Sequence, residues 1–109
     1  MEQSTGARRS AVLSLDRDAI AQLCREFGVR RLAVFGSAVT ERFNPERSDV
    51  DFLVEFADSA PQTLSHYFRF KGALEALVDR SVDLVEAGAL RNPFIIESIE
   101  ASKEDLYAA

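Results

Sequence analysis

Two short acidic stretches and one Gly-Ser pair hold the residues best suited to chemistry. Ser48-Asp49-Val50-Asp51 sets two carboxylates two positions apart, Val82-Asp83-Leu84-Val85 holds a third, and Phe35-Gly36-Ser37 precedes both. In a β-strand, residues i and i+2 share a face, so Asp49 and Asp51 project side by side, ~6–7 Å apart. Carboxylates at that spacing repel unless a cation sits between them. Asp83, brought in on a neighbouring strand, would complete an all-oxygen site for one or two Mg²⁺ ions. Two such ions ~3.5–4 Å apart can hold both the attacking and the leaving oxygen of an in-line phosphoryl or nucleotidyl displacement. The Gly-Ser pair supplies the complementary half. Glycine lets the backbone approach a phosphate, Ser37 adds a hydroxyl, and N–H groups opening a short helix at Ala38 and Val39 would point to the same place. Transfer of this kind is largely positioning and charge neutralisation, and it asks the protein for neither a nucleophile nor a histidine base.

Taken singly, none of these pieces is specific. A Gly-Ser after a strand is a common turn, and an Asp-X-Asp in an acidic chain is commonly a solvated strand edge. Asp83 is odder, because a carboxylate among Val82, Leu84 and Val85 needs exposure or a partner. Their order and settings together make the site.

The elements that must position these residues are legible in the pattern. Asp16 is a good helix N-cap, Leu15 can staple across it to Ile20, and Ile20, Leu23, Cys24 and Phe27 recur at helical spacing before Gly28. Residues 29–36 read as a strand ending at the Gly-Ser pair. One or two helical turns are expected over 38–43, and Asn44-Pro45-Glu46-Arg47-Ser48 reads as a turn. A second strand over 49–56 alternates, with Val50, Phe52, Val54 and Phe56 on one face and Asp49, Asp51, Leu53 and Glu55 on the other. Asp58-Ser59-Ala60-Pro61 is expected to open a helix running to about Asp79, its apolar face made by Leu64, Tyr67, Phe68, Leu74, Leu77 and Val78. Gly72 weakens its middle. Residues 81–86 form a third strand with Asp83 and Val85 on one face. Asn92-Pro93 starts a last helix carrying Ile95, Ile96 and Ile99, with Leu106-Tyr107-Ala108-Ala109 as its tail. The predicted fold class is α/β (α+β), a small mixed sheet with flanking helices in the order α-β-(α)-β-α-β-α. Residues 1–13 read as a polar arm, and 14–109 as one domain.

Composition narrows the function classes. The 109 residues are 47% apolar, enough for one core, and carry a formal charge of −5, which argues against direct nucleic-acid binding. The single cysteine, Cys24, excludes an internal disulfide framework and reads as a small core hydrophobe. The single histidine, His66, excludes a His-rich metal site and reads as a surface or interface residue. Arg69 and Lys71 beside Phe68 and Phe70 make a basic-aromatic stretch better suited to helix packing or a protein interface than to nucleic acid. No apolar run reaches the length of a membrane span, and no secretory leader is visible, so a cytoplasmic protein is expected.

Gly36-Ser37, an eleven-residue spacer, Asp49-Val50-Asp51 and then Val82-Asp83-Leu84-Val85 together resemble the minimal nucleotidyltransferases (MNT), a branch of the DNA polymerase β-like superfamily. The likeness runs from the first helix to the C-terminal tail. It implies the nucleotidyltransferase fold and a Mg²⁺-dependent transfer of AMP from ATP, with pyrophosphate leaving. Asp49, Asp51 and Asp83 would be the metal ligands and catalytic acids, Asp83 also helping to deprotonate the acceptor. Gly36, Ser37 and Ser48 would bind the nucleotide. Many such proteins are antitoxins encoded beside a helical HEPN ribonuclease toxin, which they neutralise by adenylylating a tyrosine, by binding, or by both. Two features depart from the family pattern. Where the family often reads Gly-Ser-X-Ala-Arg-Gly, this chain has Gly36-Ser37-Ala38-Val39-Thr40-Glu41, and the spacer is one residue longer than the common ten. Arg42 or Arg47 could replace the lost positive charge. The departures motivate an alternative, an antitoxin of weak or no activity that masks its toxin by contact. A further alternative is transfer to a small molecule or RNA end with a separate helical subunit. The chain has no room for a second domain that would enclose a small acceptor, which favours a protein one. Tyr107 in the tail is a weak candidate for modification, and the Phe-rich second half could pair the chain with itself or a partner.

Overall fold

The first helix is fixed at both ends by its own sequence. Asp16 sits in extended backbone and its carboxylate accepts the Ala19 N–H at 3.1 Å, which starts α1 at Arg17–Phe27. Gly28 ends it at φ +70°, a conformation that costs a residue with a side chain. Leu15 and Ile20 close over this cap, both buried. The computed structural model describes residues 15–36 and 49–109. The arm at 1–13, the turns expected over 38–48, and with them Ser37, Ser48, Arg42 and Arg47, lie outside the described residues.

Among the described residues, four strands make one mixed sheet. β1 (Val29–Phe35) pairs antiparallel with β2 (Val50–Phe56), and β2 pairs parallel with β3 (Val82–Glu86). A fourth strand, β4 (Glu104–Ala108), pairs antiparallel with the other side of β1, giving the order β3-β2-β1-β4. The mixed α+β sheet with flanking helices is the predicted class, but β4 stands where the sequence reading placed a tail. Glu104-Asp105-Leu106-Tyr107-Ala108 offers one fully inward residue, Leu106, too little for a periodic signal. What makes it a strand is the edge of β1 waiting for it and the Arg17 guanidinium, which holds Glu104 at 2.5 Å and the Asp105 carbonyl at 3.0 Å. Tyr107 is accordingly a half-buried strand residue packed against the core.

Alternation along β2 divides the molecule. Val50, Phe52 and Val54 are fully buried on the face shared with Leu32, Val34, Val82, Leu84 and Leu106, where α1 and α2 (Leu64–Val78) cover the sheet. Asp51 and Leu53 point to the opposite face. Burial pushes the Cys24 thiol, inside this core, up to about 12, so it behaves as a hydrophobe. No helix among the described residues is long and apolar enough to cross a membrane.

Helix α2 begins later than expected. Ala57 to Ala60 forms a turn, Ala60 packs on Gly28, and the cap is Thr63, whose hydroxyl accepts the His66 N–H at 3.1 Å. Its inward stripe is His66, Phe70 and Leu74, at i, i+4 and i+8. Leu64, Phe68 and Leu77, expected on the apolar face, are exposed. The helix carries more apolar residues than one face can hold, and the aromatic pair Phe27 and Phe56 selects the stripe that docks. His66 is therefore a core residue. Its Nε2–H donates to the Phe27 carbonyl at 2.7 Å, and its ring lies 5.3 Å from Phe27 and 5.4 Å from Phe56. With Phe70 turned inward, the basic-aromatic stretch does not form a patch. In α3 (Pro93–Ser102), Asn92 caps the Phe94 N–H as expected, but only Ile99 is buried, with Phe94, Ile95 and Ile96 exposed.

Neighbouring phenylalanines should thus respond very differently to truncation. Phe70→Ala should cost about 3–5 kcal/mol and Phe68→Ala under about 1 kcal/mol, read as the shift in urea midpoint.

Candidate active site

The parallel pairing of β2 and β3 decides which acids meet. Asp51 and Asp83 are direct partners in the register, and Asp51 is also the partner of Phe35 at the end of β1. Asp49 lies two residues before Asp51, just ahead of the strand, and is exposed, as is Asp83, while Asp51 is half-buried. All three sequence-predicted acids are thus gathered at one end of the sheet, on the face opposite α1 and α2. Their proximity is felt by the middle one. Partial burial raises the Asp51 carboxyl above its ordinary value, and the charges of Asp83 and then Asp49 push it further. A divalent cation held between these carboxylates would relieve that mutual repulsion. The donors fit Mg²⁺ in kind. As placed, no three of the described side chains close into a metal-binding cluster, so an ion would have to draw these carboxylates together.

Gly36 is the next residue inward. It leaves β1 at φ +74°, and a Cβ there would lie 2.7 Å from Asp51 Oδ2. Only a glycine backbone can pass so close to that carboxylate in this conformation. Its N–H donates to Ser102 Oγ at 3.4 Å, and that hydroxyl in turn donates to the Ser98 carbonyl at 3.3 Å. Ser102, at the end of α3, carries no motif that would have flagged it. The structure thus brings together Gly36, Asp49, Asp51 and Asp83. Ser37 and Ser48 lie outside the described residues. A cleft of about 520 Å³ bordered by Phe56, Thr63, Tyr67, Leu84 and Glu86 sits toward the other end of β2 and β3 and is lined by none of Asp49, Asp51 and Asp83.

The sequence profile of the nucleotidyltransferase domain matches residues 17–106, from the start of α1 into β4. The chain belongs to the nucleotidyltransferase domain family. A Methanocaldococcus jannaschii protein named as a protein adenylyltransferase is 40% identical to this nucleotidyltransferase over 84 residues, 77% of this chain and 80% of the relative. The solved structure of a minimal nucleotidyltransferase matches with a TM-score of 0.66 at 36% identity, over 81% of this chain and 86% of that one. A structure of a tri-AMPylated Shewanella oneidensis HEPN toxin in complex with an MNT antitoxin matches with a TM-score of 0.59. Its identity is 20%, over 85% of this chain and 70% of that chain, a likeness of fold. The family reading is thereby borne out, and the protein is a transferase by family.

The site opposes folding in a measurable way. Because the folded-state value of Asp51 is raised, its ionised form disfavours the fold at neutral pH, and the penalty fades as pH falls through that raised value. For a part-exposed, solvent-screened group this is about half a kcal/mol. Asp51→Asn in metal-free buffer is therefore expected to raise the Tm at neutral pH by about 2–4 °C, with the gain disappearing near pH 4. Gly36→Ala should have the opposite signature. It should cost about 1–2 kcal/mol through its left-handed backbone and abolish any transfer that needs Asp51 in its present orientation.

Proposed function

We propose that this nucleotidyltransferase moves AMP from ATP to a protein hydroxyl, a tyrosine of a HEPN-type ribonuclease toxin, and so acts as an antitoxin. The observation that carries the reading is the in-register pair Asp51 and Asp83 beside the glycine that ends β1. Asp49, Asp51 and Asp83 would hold Mg²⁺, which when bound supplies charge neutralisation at the phosphates. Asp83, exposed on the edge strand, would take the proton of the acceptor hydroxyl as its oxygen bonds to the α-phosphorus. The bond from that phosphorus to the bridging oxygen breaks, and pyrophosphate leaves. Gly36, Ser37 and Ser48 would seat the nucleotide, Gly36 by letting the backbone come close to a phosphate. Support for a protein acceptor comes from the relative named as a protein adenylyltransferase and, at the level of fold, from the complex holding an AMPylated toxin. With ATP as donor the protein would work in the cytoplasm, residues 14–109 forming its catalytic domain and 1–13 an arm. Thr40 and Glu41, where the family pattern has arginine and glycine, favour one second reading, an antitoxin that masks its toxin by contact alone.

ATP labelled at the α-phosphate, and separately at the γ-phosphate, incubated with the protein, Mg²⁺ and lysate of the source cells, tests this. The expected result is protein labelling from the α-phosphate only. The Asp49→Ala, Asp51→Ala double variant should reduce it by about a hundredfold or more. Absence of transfer and of Mg·ATP binding would favour masking by contact.

A further inference from the structure

Among the described residues, the acid on β3 has no strand on its outer side. β3 is the edge of the sheet, and Val50 donates its N–H to the Ser81 carbonyl at 3.0 Å. Successive residues of a strand turn their peptide groups to opposite edges. Ser81, Asp83 and Val85 therefore direct theirs toward β2, while Val82 and Leu84 direct theirs outward. Two of those outward groups are met by side chains of α2. Glu75 Oε2 accepts the Val82 N–H at 3.0 Å, and the Tyr67 hydroxyl donates to the Leu84 carbonyl. Between them, Lys71 Nζ donates to the same Glu75 oxygen at 3.0 Å. Tyr67, Lys71 and Glu75 stand at i, i+4 and i+8, one stripe of α2 laid along the open edge.

These two bonds bracket a single residue. One ends on the N–H of the residue before Asp83 and the other on the carbonyl of the residue after it, and neither touches the carboxylate. We infer that Tyr67 and Glu75 are positioning residues for Asp83, standing in for the missing neighbouring strand so that the third acid keeps its place opposite Asp51. A five-residue parallel edge strand tied on one side only would slip or fray. Apolar residues at 67 and 75 could cover the same surface, but they would leave a donor and an acceptor unpaired and the strand free to shift. The reach of the stripe toward the acid shows in its electrostatics. Burial raises the Tyr67 phenol, and the charges of Asp83 and Glu86 raise it further, while Lys71 opposes them.

This inference rests on the reading of the three acids as a metal site, and the experiment separates the two. The probe is Mn²⁺ alone, titrated into the full chain and followed by electron paramagnetic resonance, beside labelled-ATP transfer and thermal melting. Wild type should bind Mn²⁺, and Asp51→Ala should not. Tyr67→Phe keeps the ring and removes only the hydroxyl. It should weaken Mn²⁺ binding by about tenfold and lower kcat by a similar factor, with KM for ATP changed less than about twofold. Glu75→Leu should do the same, whereas Glu75→Gln, whose amide oxygen still accepts from Val82, should stay within about threefold of wild type. Phe68→Ala, on the exposed side of the same helix, should leave binding unchanged. If wild type binds Mn²⁺ and both Tyr67→Phe and Glu75→Leu bind it equally well, the positioning role is overturned while the metal site stands. If Glu75→Gln loses as much as Glu75→Leu, the ion pair with Lys71 rather than the grip on Val82 matters, which also overturns it. If wild type binds no Mn²⁺, the metal-site reading itself fails and takes this one with it.

Discussion

The pairing of β2 with β3 in parallel, with Asp51 opposite Asp83, is the constraint around which the protein is arranged. Two carboxylates set side by side on adjacent strands oppose folding, and Asp49 adds to the opposition. The remainder of the domain supplies what the acids withhold. Phe52, Val54, Phe70 and Leu74 bury the reverse face of the same strands, so the residues alternating with Asp51 provide the burial that keeps it in place. A register slip of one residue would carry the acids into the core and the phenylalanine out of it. The charged site is thus held by the apolar pattern that alternates with it.

Much of this was legible in the chain. The Asp16 and Asn92 caps, the alternation along β2 and the glycine stops are local signals, and each acts where it stands. The acids were legible for the same reason, because strand geometry alone puts Asp49 and Asp51 on one face. What the sequence did not disclose depends on partners far away. Nothing in Glu104-Asp105-Leu106-Tyr107-Ala108 is a strand signal until β1 offers an edge. His66 looks like a surface residue until the Phe27 carbonyl needs a donor and two aromatic rings close around it. On α2 the apolar residues outnumber the places for them, and only the packed structure shows that Phe70 goes in and Phe68 stays out. Tyr67 and Glu75 belong to this class too, since their partners are backbone groups and a backbone group has no letter in the sequence.

The helix layer serves the sheet in two different ways. Through His66, Phe70 and Leu74, α2 supplies apolar burial beneath β2 and β3. Through the adjacent stripe it supplies hydrogen-bonding groups at the sheet's edge. Helix α1 does the equivalent at the other side, where Arg17 reaches Glu104 and the Asp105 carbonyl on β4. Both outer strands of this small sheet are therefore secured by side chains of helices, β3 by the helix that directly precedes it and β4 by the helix farthest from it in sequence.

The seating of β4 against β1 has a consequence for how the chain acquires its shape. β1 is made well before its partner, with β2, α2, β3 and α3 all lying between Val34 and Glu104. On a ribosome, β1 must wait with one edge bare until β4 emerges. Pairings this distant in sequence close late and slow the search for the native state. Folding of the sheet is in effect a checkpoint on synthesis, since a chain released or cleaved ahead of β4 would lack the strand that completes it.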